Sequence, residues 1–533
     1  MSHQINPILP GFHPDPSIVR VDIDYYIAVS TFEWYPGVQI YHSVDLVNWT
    51  LISRPLNRAS LLDMTGCPDS CGIWAPCLSY ADGLFYLIYT NVQRFDGNFK
   101  DCPNYLTTCS TIDGEWSDPV YLNSSGFDPS LFHDDNGSKW LVNMLWDHRP
   151  GKHPFAGIVL QQYCQQQQKL IGTAVNIFSG SKHQLTEGPH LYKINDYYYL
   201  LTAEGGTSYE HACTFARSKS ITGPYEIDPN VHVLTSKDNL DKPLQRTGHG
   251  GLVQSPDGRW FLTHLMSRPI TLENGDKRSP LGRETGIQTL ILKDDGWFSL
   301  ASGQVYGEVN PIGLTGKPLR DYSHHDDFSS PVLPDHYQWL RIPNPECFYS
   351  LTDNKGALTL YGKHSVGSTF KQALIARRQQ HHSFVAQTQL RFKPTSFQQQ
   401  AGLICYYNAH KFHYLYVSYD ENGIHIDVMS CLGDESLKVD FPIYQQRIPI
   451  TSQQSEHIGL RADIDYGRLT FSYSVDGNAW LPICELDYSL ISDEAGKGEG
   501  ANFTGAFVGM CCQDLTGANI AAEFDYFTYS ERH

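Results

Sequence analysis

Five times before residue 290 the chain repeats one phrase: a small or acidic residue meets Pro or Gly, a short apolar strand follows, then a tight turn and an aromatic strand. The copies start at Asp15-Pro16-Ser17-Ile18, Ala75-Pro76-Cys77-Leu78, Asp128-Pro129-Ser130-Leu131, Gly188-Pro189-His190-Leu191 and Gly250-Gly251-Leu252-Val253. Their second strands read Tyr25–Val29, Phe85–Tyr89, Trp140–Val142, Tyr197–Leu200 and Trp260–Leu262. The starts lie 60, 53, 60 and 62 residues apart. A long, regular period built from strands implies radially arranged sheets. The chain is therefore expected to be all-β and to begin with a five-bladed β-propeller, which gathers the first strand of every blade around one axis. Asp15, Asp128 and Glu187 stand at these starts, at what read as equivalent blade positions, so three carboxyl groups are expected to converge on one pocket.

At 533 residues the chain exceeds one compact core, and two domains are expected. A net charge of −18 argues against nucleic acid, whose phosphates need Lys and Arg clusters, and against an anionic membrane surface. The segment Met1–Pro7 has neither a basic nor an apolar stretch of a signal peptide. No apolar run approaches the ~20 residues of a membrane span. A cytoplasmic location follows as the expectation. Cysteine occurs 13 times, an odd number. Cys67 and Cys71 are loosely spaced for zinc and no second ligand pair follows, so reduced thiols are the expectation.

Outer blade strands are legible as well: Val38–Ser43 before Asp45–Trp49, Tyr105–Ser110 before Gly114–Trp116, and Cys213–Ser218 before Gly223–Tyr225. Asp82-Gly83, Asn136-Gly137 and Pro256-Asp257-Gly258 fit hairpin turns. The phrase stops near residue 310, and residues 311–327, rich in Gly, Pro, His and Asp, read as a linker. Beyond it come strands such as Gly402–Tyr407, His413–Tyr419, Leu469–Ser474 and Gly505–Met510, with no helical period. This pattern predicts a β-sandwich. The expected domains are a catalytic propeller over residues 1–315 and a sandwich over residues 325–533.

Each of the three acids is flanked by Pro or Gly and apolar residues, so each is expected to be partly buried. A buried carboxylate is costly unless partnered or functional. One Asp-Pro pair alone reads as a turn cap; three acids on one axis do not. Two carboxyls in different environments are what glycoside hydrolysis requires: one protonated to assist the leaving oxygen, one ionised to activate water or attack carbon.

The run Asn6–Ile18, with Gly11-Phe12-His13-Pro14-Asp15-Pro16-Ser17 at its heart, resembles the β-xylosidases of glycoside hydrolase family 43. So do Ser30-Thr31-Phe32-Glu33-Trp34, Trp74-Ala75-Pro76, Thr186-Glu187-Gly188-Pro189, Gly248-His249-Gly250-Gly251, Gly282-Arg283-Glu284-Thr285 and Thr504–Met510. The resemblance implies an exo-acting, inverting β-1,4-xylosidase that releases xylose from the non-reducing ends of xylo-oligosaccharides. Within it, Asp15 would be the general base on water, Glu187 the general acid, and Asp128 the residue that tunes and orients the acid. Phe32, Trp74 and Phe127 would wall the sugar pocket. Arg283 would bind sugar hydroxyls, His249 would lie near the axis, and Phe507 would reach over from the sandwich to close the pocket. No cofactor is required, although some relatives hold a divalent cation, often calcium, near the axis. A homo-oligomer, dimer or tetramer, is expected.

The residues themselves leave other readings open. Phe32 and Trp74 also read as core aromatics, Arg283 as a surface ion pair, and His249 as a satisfied axial histidine. An α-L-arabinofuranosidase, or a bifunctional enzyme, is the alternative activity. A non-catalytic carbohydrate-binding protein is the alternative class, disfavoured because a lectin has no use for a buried acid set.

Overall fold

Ladder pairing in the computed structural model organises the first 300 residues into five antiparallel four-stranded sheets. Residues 4–97, 99–319, 321–433, 439–440, 447–496 and 502–532 are described. Met1–His3, the beginning of the segment read for a leader, lie outside them.

Each sheet is a consecutive meander. The first holds Ser17–Val21, Asp24–Val29, Gln39–Ser43 and Thr50–Ser53. The second holds Gly72–Ala81, Leu84–Val92, Asn104–Cys109 and Val120–Asn123. The third runs from Ser130–His133 to Lys169–Phe178 and the fourth from Glu187–Ile194 to Glu226–Thr235. The fifth comprises Gln245–Gln254, Trp260–Ser267, Glu284–Leu292 and Phe298–Leu300. The five-bladed propeller read from the repeat is therefore the fold. Asp82 and Gly83 both take left-handed φ, 54° and 76°, as a two-residue hairpin turn of matching twist requires.

The aromatic second strands supply the packing between blades. Tyr25, Ile27 and Val29 of the first blade pack with Val253, Phe261 and Ile287 of the fifth. Tyr199, Leu201 and Phe215 of the fourth pack with Leu252, Leu262 and Phe298 of the fifth. Leu131 and Leu141 of the third join Tyr86 and Ile88 of the second.

Closure is made by the N-terminal segment. Asn6 clamps the edge of the fifth blade: its Nδ2 donates to the Ile287 carbonyl at 2.7 Å and the Glu308 carbonyl at 2.8 Å, and its Oδ1 accepts from Ile287 N at 2.9 Å. Leu9 and Thr285 exchange backbone bonds at 3.2 Å, and His13 N donates to the Arg283 carbonyl at 3.0 Å. Gly11 N donates to Glu284 Oε1 at 2.8 Å.

The chain folds as two compact units, the first being residues 1–62, 71–268 and 283–319. The second unit, residues 63–70, 269–282 and 320–533, is a two-sheet sandwich. One sheet runs through Leu358–Tyr361, Ala521–Glu531, Ser383–Arg391, Ile458–Asp465, Arg468–Ser474 and Leu481–Asp487. The other orders Tyr337–Leu340, Ala373–Arg378, Phe507–Asp514, Gln399–Asn408, Lys411–Asp420 and Gly423–Leu432. The supposed linker is shorter than its composition suggests. His324–Asp326 is a strand paired with Ala521–Glu531, because alternate residues face Tyr529 and Phe527 across the ladder.

Two stretches that lie between propeller strands in sequence belong to this second unit. The fully buried Arg341 donates to Cys67 O at 2.5 Å, Gln372 Oε1 at 2.9 Å and Asp69 Oδ1 at 2.6 Å. Glu494 accepts from Ser279 N and Ser279 Oγ, each at 2.7 Å. Removing one partner of a buried ion pair leaves an uncompensated charge and costs roughly 3–5 kcal/mol. A chain ended at residue 319 keeps every blade strand yet strands Asp69 and Ser279 without these partners. It is expected to be poorly soluble and inactive in a xyloside assay. A soluble 1–319 fragment with full activity and a single thermal transition would contradict this.

Candidate active site

The five blades begin with the same backbone distortion. Asp15, Ala75, Asp128, Gly188 and His249 all have left-handed φ, at 55°, 39°, 54°, 55° and 44°. Held in a non-glycine residue, this conformation costs on the order of 1–3 kcal/mol and persists where the surroundings over-determine it. It marks the true structural equivalence. Asp15 and Asp128 occupy matching positions, whereas Glu187 stands one residue earlier, its matching position being Gly188. Three acids at identical positions, as read from the repeat, is thus corrected to two plus one offset. Gly188 is required there: a Cβ would lie 3.1–3.2 Å from the His249 imidazole, at a φ that L side chains disfavour.

Asp15 is buried and fully engaged. Ser30 Oγ donates to its Oδ2 at 2.7 Å, and Arg283 Nη1 donates to its Oδ1 at 3.2 Å. His249 Nδ1 lies 3.8 Å from the same Oδ1. Ser30 Oγ in turn accepts from Ala75 N at 2.7 Å, so one hydroxyl ties the first blade's acid to the second blade. Arg283 also donates to Thr207 Oγ1 at 3.1 Å, and its guanidinium lies 5.0 Å from the Phe32 ring centroid. It is a buried partner of Asp15, not a surface ion pair.

Asp128 Oδ2 accepts from Gly188 N at 3.0 Å, bridging the third blade to the residue after Glu187. Burial, with Asp15's negative charge added and the charge of His249 opposing, pushes the Asp128 carboxyl up to about 6. Burial, then the charges of Asp128 and Asp15, raises Glu187 well above the usual carboxylate range. Glu187 keeps partial solvent contact, unlike Asp15 and Asp128. This arrangement favours the protonated form of Glu187.

Aromatic rings line the same region. Phe32 and Trp74 have centroids 5.6 Å apart, Trp74 and Phe127 also 5.6 Å. Trp146 and Phe155 continue from Phe127, each at 6.2 Å. Such faces suit the C–H surfaces of a sugar ring. The structure thus brings Asp15, Phe32, Trp74, Phe127, Asp128, Glu187, His249 and Arg283 into one unit. Phe507 belongs to the other unit, where it opens the strand Phe507–Asp514, fully buried, with the Arg378 guanidinium 5.6 Å from its ring. Ser30 and Thr207 carried no assigned role in the sequence. Both are small hydroxyl residues just beyond a second strand, and only the fold reveals their partners. Among the described residues, no group of three or more His, Cys, Asp or Glu side chains is arranged to hold a metal ion.

The raised Asp128 has a consequence for stability. Below about pH 4 an aspartate is protonated in both folded and unfolded chains. As pH rises the unfolded chain ionises first, so stability falls until the pH passes about 6, the folded value. Asp128→Asn, whose amide oxygen still accepts from Gly188 N, is expected to raise Tm at pH 7 and leave it unchanged at pH 4. An equal shift at both pH values would contradict the raised carboxyl.

Residues 5–298 match Glycosyl hydrolases family 43, and residues 325–530 match the Beta xylosidase C-terminal Concanavalin A-like domain. The chain is 50% identical to Xylosidase/arabinosidase 43B of Humicola insolens over 98% of its own length and 97% of that protein. It is 48% identical to the Beta-xylosidase of Bacillus subtilis, over 99% of both chains. The crystal structure of xylan beta-1,4-xylosidase from Bacillus halodurans C-125 superposes with a TM-score of 0.94 at 48% identity, over 99% of this chain and 100% of that one. With its strained blade starts, offset acids and full-length similarity, the chain belongs to glycosyl hydrolase family 43.

Proposed function

We propose that this protein is an exo-acting, inverting β-1,4-xylosidase that releases xylose from the non-reducing ends of xylo-oligosaccharides. The observation that carries the reading is the pair of contrasting acids. Glu187 is pushed toward its protonated form, while Asp15 faces a hydroxyl donor and a guanidinium. Contrasting carboxyls in one aromatic-lined site are the requirement for glycoside hydrolysis.

In this mechanism Glu187 donates its proton to the glycosidic oxygen as the bond to the anomeric carbon breaks. Asp15 removes a proton from a water that attacks the opposite face. Asp128 fixes the backbone at Gly188 and its negative charge keeps the acid's proton in place. Phe32, Trp74 and Phe127 exclude water around the ring, and Arg283, held by Asp15 and Thr207, is placed to meet sugar hydroxyls. His249 packs on Gly188 at the axis. Phe507 closes the pocket from the sandwich, which is what suits a site to single terminal sugars; the propeller over residues 1–315 is the catalytic domain and the sandwich over residues 325–533 completes it. No cofactor is required by these proton transfers. A homo-oligomer, dimer or tetramer, acting in the cytoplasm is the setting we propose; among the described residues no helix is long and apolar enough to cross a membrane.

α-L-Arabinofuranosidase activity is the second reading, favoured by the relative named Xylosidase/arabinosidase. The ratio of rates on the two nitrophenyl glycosides distinguishes them, with the xyloside expected to be faster.

Asp15→Ala is expected to lose nearly all turnover on every xyloside. Glu187→Ala is expected to lose about 10²–10⁴-fold on xylobiose, the usual worth of a general acid, and far less on an aryl xyloside whose leaving group needs no proton. Equal losses on both substrates would remove Glu187 from the acid role.

A further inference from the structure

The side chain of Glu204 is fully buried outside the acid set, at the end of the strand Tyr197–Glu204. Its neighbour Ala203 faces Glu187 directly across the ladder. Four neutral donors converge on its carboxylate. Ser181 N and Thr186 Oγ1 donate to Oε1 at 2.8 and 3.0 Å. Ser181 Oγ and Thr214 Oγ1 donate to Oε2, the latter at 3.3 Å. Gly180, at φ 86°, leaves room for this: a Cβ there would lie 2.2 Å from Thr186 Oγ1.

Burying a carboxylate costs several kcal/mol unless its lone pairs are met. Here they are met by three separate segments, one being the residue bonded to Glu187. The backbone of the acid is thereby held on both sides by carboxylates: Thr186 by Glu204, and Gly188 by Asp128 at 3.0 Å. Just beyond Glu204, Thr207 Oγ1 takes the second bond of Arg283. The strand end at Glu204 therefore joins the segment bearing the acid to the loop that holds the guanidinium on Asp15.

We propose that Glu204 is a positioning residue for the reaction, anchoring Thr186 so that the Glu187 carboxyl stands at the distance from the leaving oxygen that proton donation needs. The proposal rests on Glu187 being the general acid. It predicts a loss confined to the protonated step. Proton transfer requires heavy atoms about 2.6–3.2 Å apart, and a misplacement of ~1 Å costs about 10²-fold.

The test measures kcat and KM on xylobiose and on 2,4-dinitrophenyl β-xyloside, whose leaving group needs no proton, for Thr186→Val, Glu204→Gln, Glu204→Ala and the reference Glu187→Ala. Thr186→Val removes one donor without opening a cavity, so it decides the matter even where Glu204→Ala fails to fold. It is expected to lower kcat on xylobiose by about 10–100-fold, with the aryl xyloside within about threefold and KM within about twofold on both. Glu204→Ala is expected to show the same split, more strongly. Glu204→Gln keeps one acceptor oxygen, and the Ser181 and Thr214 hydroxyls can turn to accept from its amide. It is expected to stay within about fivefold of the parent. If Glu187→Ala separates the two substrates but Thr186→Val and Glu204→Ala lose equally on both, Glu204 is scaffold only and the proposal is overturned. If Glu187→Ala itself does not separate them, the acid assignment fails and the anchoring role with it.

Discussion

The geometry of the site depends on one long-range contact, the zipping of residues 6–13 onto residues 283–287. Asn6, Leu9, Gly11 and His13 each bond the edge of the fifth blade, and the last of these bonds ends at the Arg283 carbonyl. Two residues further on is Asp15. The same closure that removes the open sheet edge therefore brings Asp15 to the guanidinium of a residue 268 positions away. An open ring would expose an edge strand and would also separate the proposed base from its charge partner.

Around that contact the site accumulates costs of the kind found where function is at stake. Four non-glycine residues with left-handed φ, including both aspartates and His249, surround the axis. The carboxyls of Asp128 and Glu187 are both raised, that of Asp128 by burial and the charge of Asp15, that of Glu187 by burial and the charges of Asp128 and Asp15. Each feature destabilises the fold, and the aromatic interblade clusters offset it. The sum is a set of neighbouring acids whose repulsion favours the protonated form of Glu187.

Much of this was legible in the sequence, for physical reasons that can be named. Asp15-Pro16 and Asp128-Pro129 announce themselves because a special backbone position has a narrow choice of residues, and the aromatic second strands because interblade packing demands them. Glu187 was legible as a member of the acid set, and its one-residue offset is implicit in the copy that starts at Gly188; what only the φ values reveal is that the strained place of the fifth blade is His249, one residue before Gly250. Ser30, Thr207 and Glu204 were silent because a buried hydroxyl or carboxylate is defined by partners that the fold, not the adjacent sequence, brings to it. Residues 63–70 and 269–282 fall inside the 1–315 span expected for the propeller, since sequence adjacency says nothing about the partners Arg341 and Glu494 that claim them.

The central claim is that Asp15 directs water to the face opposite the bond that Glu187 protonates. Proton NMR of the first xylose released from 4-nitrophenyl β-xyloside, read before mutarotation, tests it most directly. The account predicts α-xylose; β-xylose as the initial product would contradict it, because retention requires a carboxylate that attacks the sugar itself.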